Sequence, residues 1–447
     1  MLVIIVGAGE VGCHLAKNLS AEHDVVIVES NPEKCAFVRE HFDVLAINDS
    51  GSSVRALRQA GINRAGMLIA VSAIDEINIM ACMMAAQFGV ERKIARIRNP
   101  EYALEDAVLK PKQLGIDLMI NPEQTTAEEI LSLVSLSSAT DVIEYAGGRA
   151  QLFGVRLDPK AEIINRTLEE VSQANPHLRF RTVAIYRDEK TLVPTGKEYF
   201  RKGDQIFVTS LAESVPHLLK LCGKDDGPVH KVMILGGGLV GRLTAKLLEQ
   251  ERNLDVKLIE SSRQQSATAA AELQKTLVIR GEGSDVDLLV QEDVMSMDTF
   301  VALAEDEETN IITCLLARHL GVKRTITLVS KSDYVPLLPA IGLDVAVDKR
   351  KITANAIARF IRSGEVVSIA TLRGVEAEAH EVVVQPGAKI VGRLLRKIRL
   401  PDKVVIGCAM RNGEAFIPVG DTVFQAHDQV VLFGSPKTLS KAEKLFG

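Results

Sequence analysis

The 447-residue chain contains no tryptophan, and aromatic residues make up only 4% of it. Few ring faces are available for stacking on bases. An excess charge of one sign is also missing: 53 basic and 58 acidic residues leave a net charge of −5. That balance gives no global attraction to nucleic acid or to an anionic lipid surface, so no nucleic-acid partner is expected. Long apolar runs are absent, since no stretch approaches the roughly 20 residues that a membrane-crossing helix needs. The opening MLVIIVGAG has no basic residues ahead of it and no cleavage pattern behind it, so it reads as a strand entering a loop. Cysteine is sparse and scattered. Cys13, Cys35, Cys82, Cys222, Cys314 and Cys408 form no C-x-x-C and share no metal-ligand spacing with histidine. Buried free thiols in a cytoplasmic, reducing compartment are the expectation, with no metal site. What is present is 47% apolar residues, enough to exclude disorder. At this length the chain calls for two to four separate cores.

The sequence repeats itself. VIIVGAGEVG at 3–12 returns as VMILGGGLVG at 232–241, and VVIVES at 25–30 returns as VKLIES at 256–261. Downstream, DEINIMACMMAAQFGV (75–90) matches EETNIITCLLARHLGV (307–322), and VPTG…RKGDQIFVTS (193–210) matches IPVG…AHDQVVLFGS (417–435). Echoes in the same order indicate an internal duplication, so both halves must share one architecture. In the first half, Val/Ile-rich runs at 2–6, 25–28, 43–47, 66–71, 93–97 and 117–120 alternate with helical stretches from 10, 32, 52, 75, 100 and 123. That alternation predicts a parallel sheet with helices on both faces, a doubly wound α/β domain. After residue 140 the rhythm changes to short strands and tight turns, interrupted by one helical segment near Leu168 to Gln173, which reads as a small α+β unit. The polar CGKDDGPVHK at 222–231 reads as a linker, after which the order repeats with a helix near 351–363. The expected domains are 1–123, 141–225, 230–348 and 365–447.

Gly7-Ala8-Gly9-Glu10-Val11-Gly12 follows a strand and opens a helix. In such a loop the first glycine permits a tight turn, the second lets the backbone approach a pyrophosphate, and the third lets the helix lie close to the sheet. The helix then directs its first amides, and the positive end of its dipole, at that phosphate. Glu29 stands 22 residues after Gly7 at the end of the second strand, where a carboxylate accepts protons from both hydroxyls of an adenosine ribose. A 2′-phosphate would meet like charge there at roughly 4 Å, a cost on the order of 1 to 4 kcal/mol. NAD or NADH is thus favoured over NADP. Asp49 either meets the adenine edge or forms an ordinary turn. Period-two alternation places Arg96 and Arg98 on one strand face, with Arg98 a candidate phosphate contact. In the second half Gly236, Gly238, Leu239, Val240, Gly241 and Glu260 occupy the corresponding positions, but Ser330 stands where Arg98 would be.

A dehydrogenase needs an acid/base group near the hydride path. The single Tyr-x-x-x-Lys spacing, Tyr186 to Lys190, crosses a charged hairpin rather than a helix, and none of the nine histidines, His14 and His319 included, lies in a recognisable acid/base motif. Cys13 sits at a helix N-terminus that can lower a thiol pKa, with helix packing the plainer reading. The residues therefore favour a sensor over a catalyst, and the alternative is an NAD-dependent two-domain oxidoreductase.

Two glycine-loop domains, the DEIN and EETN helix starts, IARIRNP, and small units carrying GDQIFV or HDQVVLF together resemble tandem regulator-of-K⁺-conductance (RCK, or KTN) modules. Two such pairs in one chain are similar to the peripheral subunits of bacterial Trk potassium-uptake systems. The resemblance implies two Rossmann-like doubly wound domains, each followed by a small α+β lobe. It implies NAD(H), with ATP and ADP as further candidates, bound in the N-terminal lobe of each pair. Carried over by position, it adds Ala73 and Ile74 at the fourth strand end to Gly7, Ala8, Gly9, Glu10, Val11, Glu29 and Arg98. It also implies a tetrameric homo-oligomeric ring docked on the cytoplasmic face of a potassium-translocating membrane subunit, and no catalysis.

Overall fold

The computed structural model describes residues 1–447 apart from 21–22, 104–107, 137, 146, 189, 225–228, 331–333, 335–336, 339–340, 362–365 and 372–376. The chain divides into two compact units, one made of Met1–Glu128 with Asp348–Phe360, the other of Glu129–Val347 with Ile361–Gly447.

The first unit is built on strands β1 (Leu2–Val6), β2 (Asp24–Glu29), β3 (Leu45–Asn48), β4 (Ala65–Ala70), β5 (Arg92–Arg96) and β6 (Leu118–Ile120). They lie in the order β3-β2-β1-β4-β5-β6 and pair in parallel, with Val6 beside Val28 on one side and Ala70 on the other. Ile4, Ile5, Ile27, Leu68, Ile69 and Ile94 are fully buried, because helices cover both faces. This is why the strands read as unbroken apolar runs rather than alternating ones. The strand order reverses between β1 and β4, which opens a crevice beyond their carboxyl ends. The helix expected from residue 100 is one 3₁₀ turn, Pro100–Ala103, because Pro100 ends the preceding extended segment and fixes only the start of a turn; its continuation falls outside the described residues. Helix Lys349–Ile361, which follows the last strand of the second doubly wound sheet in sequence, contributes Lys349–Phe360 to this first unit, together with Asp348 at the end of that strand.

In the second unit, β7 (Asp141–Tyr145), β8 (Ala150–Arg156), β9 (Phe180–Arg187), β10 (Lys190–Leu192) and β11 (Gln205–Leu211) form an antiparallel sheet in the order β10-β9-β11-β8-β7. The six-stranded sheet recurs as β12 (Lys231–Leu235), β13 (Asp255–Glu260), β14 (Leu277–Arg280), β15 (Thr299–Ala302), β16 (Arg324–Val329) and β17 (Val345–Asp348), ordered β14-β13-β12-β15-β16-β17. The antiparallel sheet recurs as β18 (Val366–Thr371), β19 (Glu378–Val383), β20 (Val405–Arg411), β21 (Glu414–Phe416) and β22 (Gln429–Gly434), ordered β18-β19-β22-β20-β21. Each small lobe also carries a closing helix, Val215–Leu221 and Pro436–Glu443, beyond the single helical segment expected from sequence. Proline in the first turn of each is a start signal that the reading passed over.

The two antiparallel sheets pack face to face through Leu152, Val183, Phe207, Cys408, Val431 and Phe433. A Cβ on Gly407 would lie 2.7 Å from Cγ2 of Thr209, so only glycine permits that approach. In each lobe the aspartate of the repeated DQ pair is buried against an arginine. Asp204 accepts from Arg187 Nε and Nη2, both at 2.8 Å, and Asp428 accepts from Arg411 at 2.8 and 2.7 Å. These forked bonds hold the arginines protonated, Arg187 and Arg411 both shifted above the ordinary range chiefly by the aspartate.

Candidate functional site

Gly7 leaves β1 with φ +102°, and a Cβ there would lie 2.8 Å from the Cα of Ser72. Both the left-handed turn and the crowding require glycine. A Cβ on Gly12 would lie 2.0 Å from the carbonyl oxygen of Gly7, which is how the helix Glu10–Leu19 starts hard against the loop. Gly9 differs, since a Cβ there would meet nothing within 4 Å, so the loop faces open space at its middle glycine. Gly9 is the N-cap of this helix and supplies no side-chain cap, whereas Asn31 and Ser53 cap the next two helices. The first amides of a helix have no intrahelical partner. Here no side chain caps them, an arrangement that suits an anion.

Glu29 is buried and fixed at both oxygens. The Ala8 N–H donates to Oε2 at 2.6 Å and the Asn31 N–H to Oε1 at 2.8 Å. The Ser30 hydroxyl adds a long bond to Oε1 at 3.4 Å. A carboxylate has about four lone-pair directions, so one remains for a ribose hydroxyl proton, and a second opens if the Ser30 hydroxyl turns away. The same bonds lock the glycine loop to the end of β2, which sets loop and acceptor in one frame. A diphosphate with an adjoining ribose fits this set of groups: uncapped amides, an open middle glycine and an anchored carboxylate.

The second loop repeats the geometry closely. Gly236 has φ +103°, a Cβ on Gly241 would lie 1.9 Å from Gly236 O, and one on Gly238 would meet nothing within 4 Å. Glu260 Oε2 accepts from Gly237 N at 2.5 Å and Oε1 from Ser262 N at 2.7 Å. Leu239 and Val240 open the helix Leu239–Leu248, again with no side-chain cap on Gly238. A group that sequence reasoning missed is Arg242, whose Nη1 donates to Gly237 O at 2.8 Å while Nε reaches Glu272 at 2.9 Å. Its counterpart in the first loop is Cys13.

At the ends of β4 and β5, Asn78 is fully buried and links both strands. Its Oδ1 accepts from Ser72 N at 2.9 Å, and its Nδ2 donates to Ser72 O at 3.0 Å and Arg96 O at 2.8 Å. Asn310 does the same with Ala304 and Leu328 in the second half. The shared asparagine of DEIN and EETN was the available signal. Ala73 and Ile74 lie in the turn that this asparagine holds, with Ile74 exposed and its N–H donating to Ser72 Oγ at 3.2 Å.

Arg98 stands beyond the end of β5, which stops at Arg96, so strand alternation does not set its direction. Instead Asp75 Oδ2 accepts the Arg98 and Asn99 amides, both at 2.9 Å, and the half-exposed guanidinium lies 3.5 Å from Glu123. Ser330 has the matching backbone anchor, its N–H donating to Glu307 at 2.8 Å. Arg96 is partly buried, with Nε unpartnered, and its pKa is lowered by loss of solvent and by the neighbouring Arg98. Asp49 is engaged in its own turn: Ser50 N donates at 2.8 Å and Arg55 Nη2 at 2.9 Å, the latter contact being the main reason its pKa is lowered. The turn reading of Asp49 is the one its present bonds describe.

Tyr186 and Lys190 lie on opposite arms of the β9–β10 hairpin, paired with Thr191 and Arg187 rather than with each other. His14 is shifted toward the neutral form by burial, and His319 is exposed. Burial, with the Glu29 charge adding to it, pushes the Cys13 thiol upward, so the helix terminus does not activate it. Cys82, Cys222, Cys314 and Cys408 are pushed up to about 12 by desolvation. Among the described residues no cluster of three or more His, Cys, Asp or Glu is arranged to hold a metal ion, and no helix is long and apolar enough to cross a membrane.

Two doubly wound domains with uncapped glycine loops, each followed by a small α+β lobe, define a tandem nucleotide-fold module. Sequence profiles sharpen this class: the TrkA-N domain matches residues 3–122 and 232–349, and the TrkA-C domain matches 152–223 and 379–447. The chain is 34% identical to the Trk system potassium uptake protein TrkA of Haemophilus influenzae and 33% identical to that of Vibrio alginolyticus, over all of this chain and 98% of each relative. It is 32% identical to TrkA homolog 1 of Methanosarcina mazei over the full length of both. The chain belongs to the TrkA family. Among solved structures, the GsuK RCK domain superposes with a TM-score of 0.61 at 15% identity, covering 99% of this chain and 94% of that one. The GsuK channel bound to NAD gives 0.62 at 16% identity, covering 99% of this chain and 78% of that one. At such identities the likeness shows a common fold.

Proposed function

We propose that the chain is the nucleotide-sensing regulatory subunit of a potassium uptake system, without catalytic activity of its own. The observation that carries the reading is the pair Gly9 and Glu29: an uncapped loop open toward the crevice, tied by the Ala8 N–H to an anchored ribose acceptor. NAD(H) is the ligand of the first crevice, held by Gly7 to Gly12 at the diphosphate and Glu29 at the ribose, with Ala73, Ile74 and Arg98 on the opposite wall. ATP and ADP share the diphosphate and ribose chemistry and compete for the same crevice. Gly236, Gly238, Leu239, Val240, Gly241 and Glu260 form the corresponding second site. The names of the full-length relatives and the shared RCK fold support the assignment to potassium uptake.

Four copies form a ring on the inner face of the membrane, seated on an integral potassium-translocating subunit. Helix Asp75–Gln87 supports self-assembly, because it leaves Met80 and Met83 exposed at 46% and 39%, next to Ile74 at 52%. Regulation is a shift between ring conformations. A nucleotide changes flux only through different affinities for the two forms, each tenfold difference supplying about 1.4 kcal/mol per site.

The test measures potassium uptake by membranes containing the translocating subunit and this chain while NADH and ATP are titrated. Flux that responds to nucleotide with the unsubstituted chain and not with Gly9→Asp supports the reading. Flux still sensitive after binding is lost rejects it, as does turnover of NADH.

A further inference from the structure

The first crevice holds a charge pair that its twin lacks. Glu10 is the first residue of the helix after the glycine loop, where a carboxylate would repel the phosphates that the loop is shaped to receive. Arg350 Nε lies 2.5 Å from Glu10 Oε2, an ion-pair contact out of line for a hydrogen bond, with the Glu10 side chain 64% exposed. Arg350 is remote in sequence: it is the second residue of helix Lys349–Ile361, and Asp348 Oδ1 accepts its N–H at 3.0 Å, fixing the turn from which it reaches. The neighbouring Lys349 is anchored in parallel, its Nζ 2.6 Å from Glu123 Oε1, the same oxygen that lies 3.5 Å from Arg98. Two successive cations of one helix thus meet carboxylates on either side of the crevice, one beside the loop and one beside Arg98.

The duplication serves as an internal control. Residues 121–130 align with 348–357, and Thr126 and Thr353 make the same bond to the carbonyl four residues back. In that alignment Arg350 corresponds to Glu123, while Glu10 corresponds to Leu239 and Arg98 to Ser330. Acid and arginine are therefore both present at the first loop, and the second loop has neither at those positions.

We propose that Arg350 is a positioning residue of the first nucleotide site: it neutralises Glu10 so that an anionic ligand can occupy the glycine loop, and it thereby couples ligand binding to the docking of helix Lys349–Ile361. The inference rests on the nucleotide-site reading above. Because the coupling is reciprocal, a ligand that needs Glu10 shielded must in turn stabilise the docked helix. The more phosphate charge a ligand carries, the more it depends on Arg350, so ATP is affected more than NADH.

The experiment titrates NADH and ATP calorimetrically into the full chain with the second loop silenced by Gly238→Asp, alongside hydrogen exchange of amides 349–361 and a melting curve for each variant. Arg350→Ala should weaken NADH about tenfold and ATP by more, with Arg350→Lys recovering part of the loss. Glu10→Leu combined with Arg350→Ala, which removes the acid together with its partner and puts at position 10 the residue found in the second loop, should restore most of the affinity. Added NADH should slow exchange in the helix of the unsubstituted chain and not in Arg350→Ala. Unchanged affinity in a folded Arg350→Ala overturns the inference while leaving the site intact. An equal loss whether residue 10 is Glu or Leu also overturns it, assigning Arg350 to direct contact. No binding to the unsubstituted chain overturns the site reading itself, and this inference with it.

Discussion

The two crevices are alike in backbone and unlike in charge. Gly7 and Gly236 turn with φ of +102° and +103°, Glu29 and Glu260 lock their loops through the same amide, and Asn78 and Asn310 bind the same strand ends. Around that shared frame the first crevice has Arg98 and the Glu10–Arg350 pair, whereas the second has Ser330 and Leu239, with Glu305 and Asp306 in place of Ala73 and Ile74. After duplication, the parts that shape the loop are those that no other residue can replace. The charges lining the opening have changed, because altering them costs the fold little. The second crevice in turn carries Arg242 on its loop, where the first has Cys13, so each opening has its own arrangement of charge.

The largest expected difference follows from Gly9→Asp. The position is extended, with φ −72° and ψ −178°, and has room for a side chain, so the fold is retained. Aspartate is a favoured N-cap and would accept the free amides itself, occupying the ligand's place while adding repulsion. NADH affinity should fall at least a hundredfold, about 2.7 kcal/mol, with an unchanged or raised melting temperature. Gly238→Asp should reduce total measured nucleotide affinity less than tenfold. Equal losses would break the distinction between the crevices.

Asn78→Ala and Asn310→Ala probe what the halves share. Each substitution leaves buried backbone groups at two strand ends without partners, at a cost of about 1 to 3 kcal/mol. Denaturant melts should give similar losses for both. A loss confined to one half would show that the frames are not equivalent.

The sheet order and the two loops were legible because parallel strands buried on both faces give uninterrupted Val/Ile runs, and because Gly7 and Gly12 allow no other residue. Arg350 was not legible. Its partner is 340 positions away, and no periodicity links a helix to a loop in the opposite half of the sequence. The roles of Asn78 and Arg242 were hidden for a related reason, since a side chain's hydrogen bonds to strand ends depend on how the chain returns and not on local pattern. Arg98 was selected by strand alternation, yet its backbone is held by Asp75 beyond the strand.

Glu29→Gln sharpens the comparison at the ribose. The amide removes the negative charge that would meet a 2′-phosphate, and its NH2 cannot accept one of the two backbone N–H groups that Glu29 now holds, so both ligands weaken while discrimination between NADH and NADPH narrows by about tenfold, or about 1.4 kcal/mol, in competition titrations. Glu260→Gln should leave first-site discrimination unchanged.

The smallest expected effect separates the two antiparallel lobes. Phe153 on β8 pairs with Val208, and His380 occupies the corresponding place on β19 opposite Leu432, both rings being fully buried. Nδ1 of His380 lies 2.6 Å from Glu443 and Nε2 lies 2.7 Å from Glu378. A neutral imidazole has one N–H and would turn a lone pair toward a carboxylate, whereas the imidazolium donates to both. Burial alone lowers the pKa, but the two carboxylates outweigh it and the net shift is upward. The folded state therefore holds its proton at pH values where the unfolded chain has released one. This contribution is fully present below the unfolded value of about 6.5 and is lost as pH rises through the folded pKa, at up to about 1.4 kcal/mol per pH unit. His380→Phe gives the second lobe the ring already accommodated in the first. Melting curves between pH 6 and 9 should lose that alkaline decline in the variant, and an identical decline in both proteins would place its origin elsewhere.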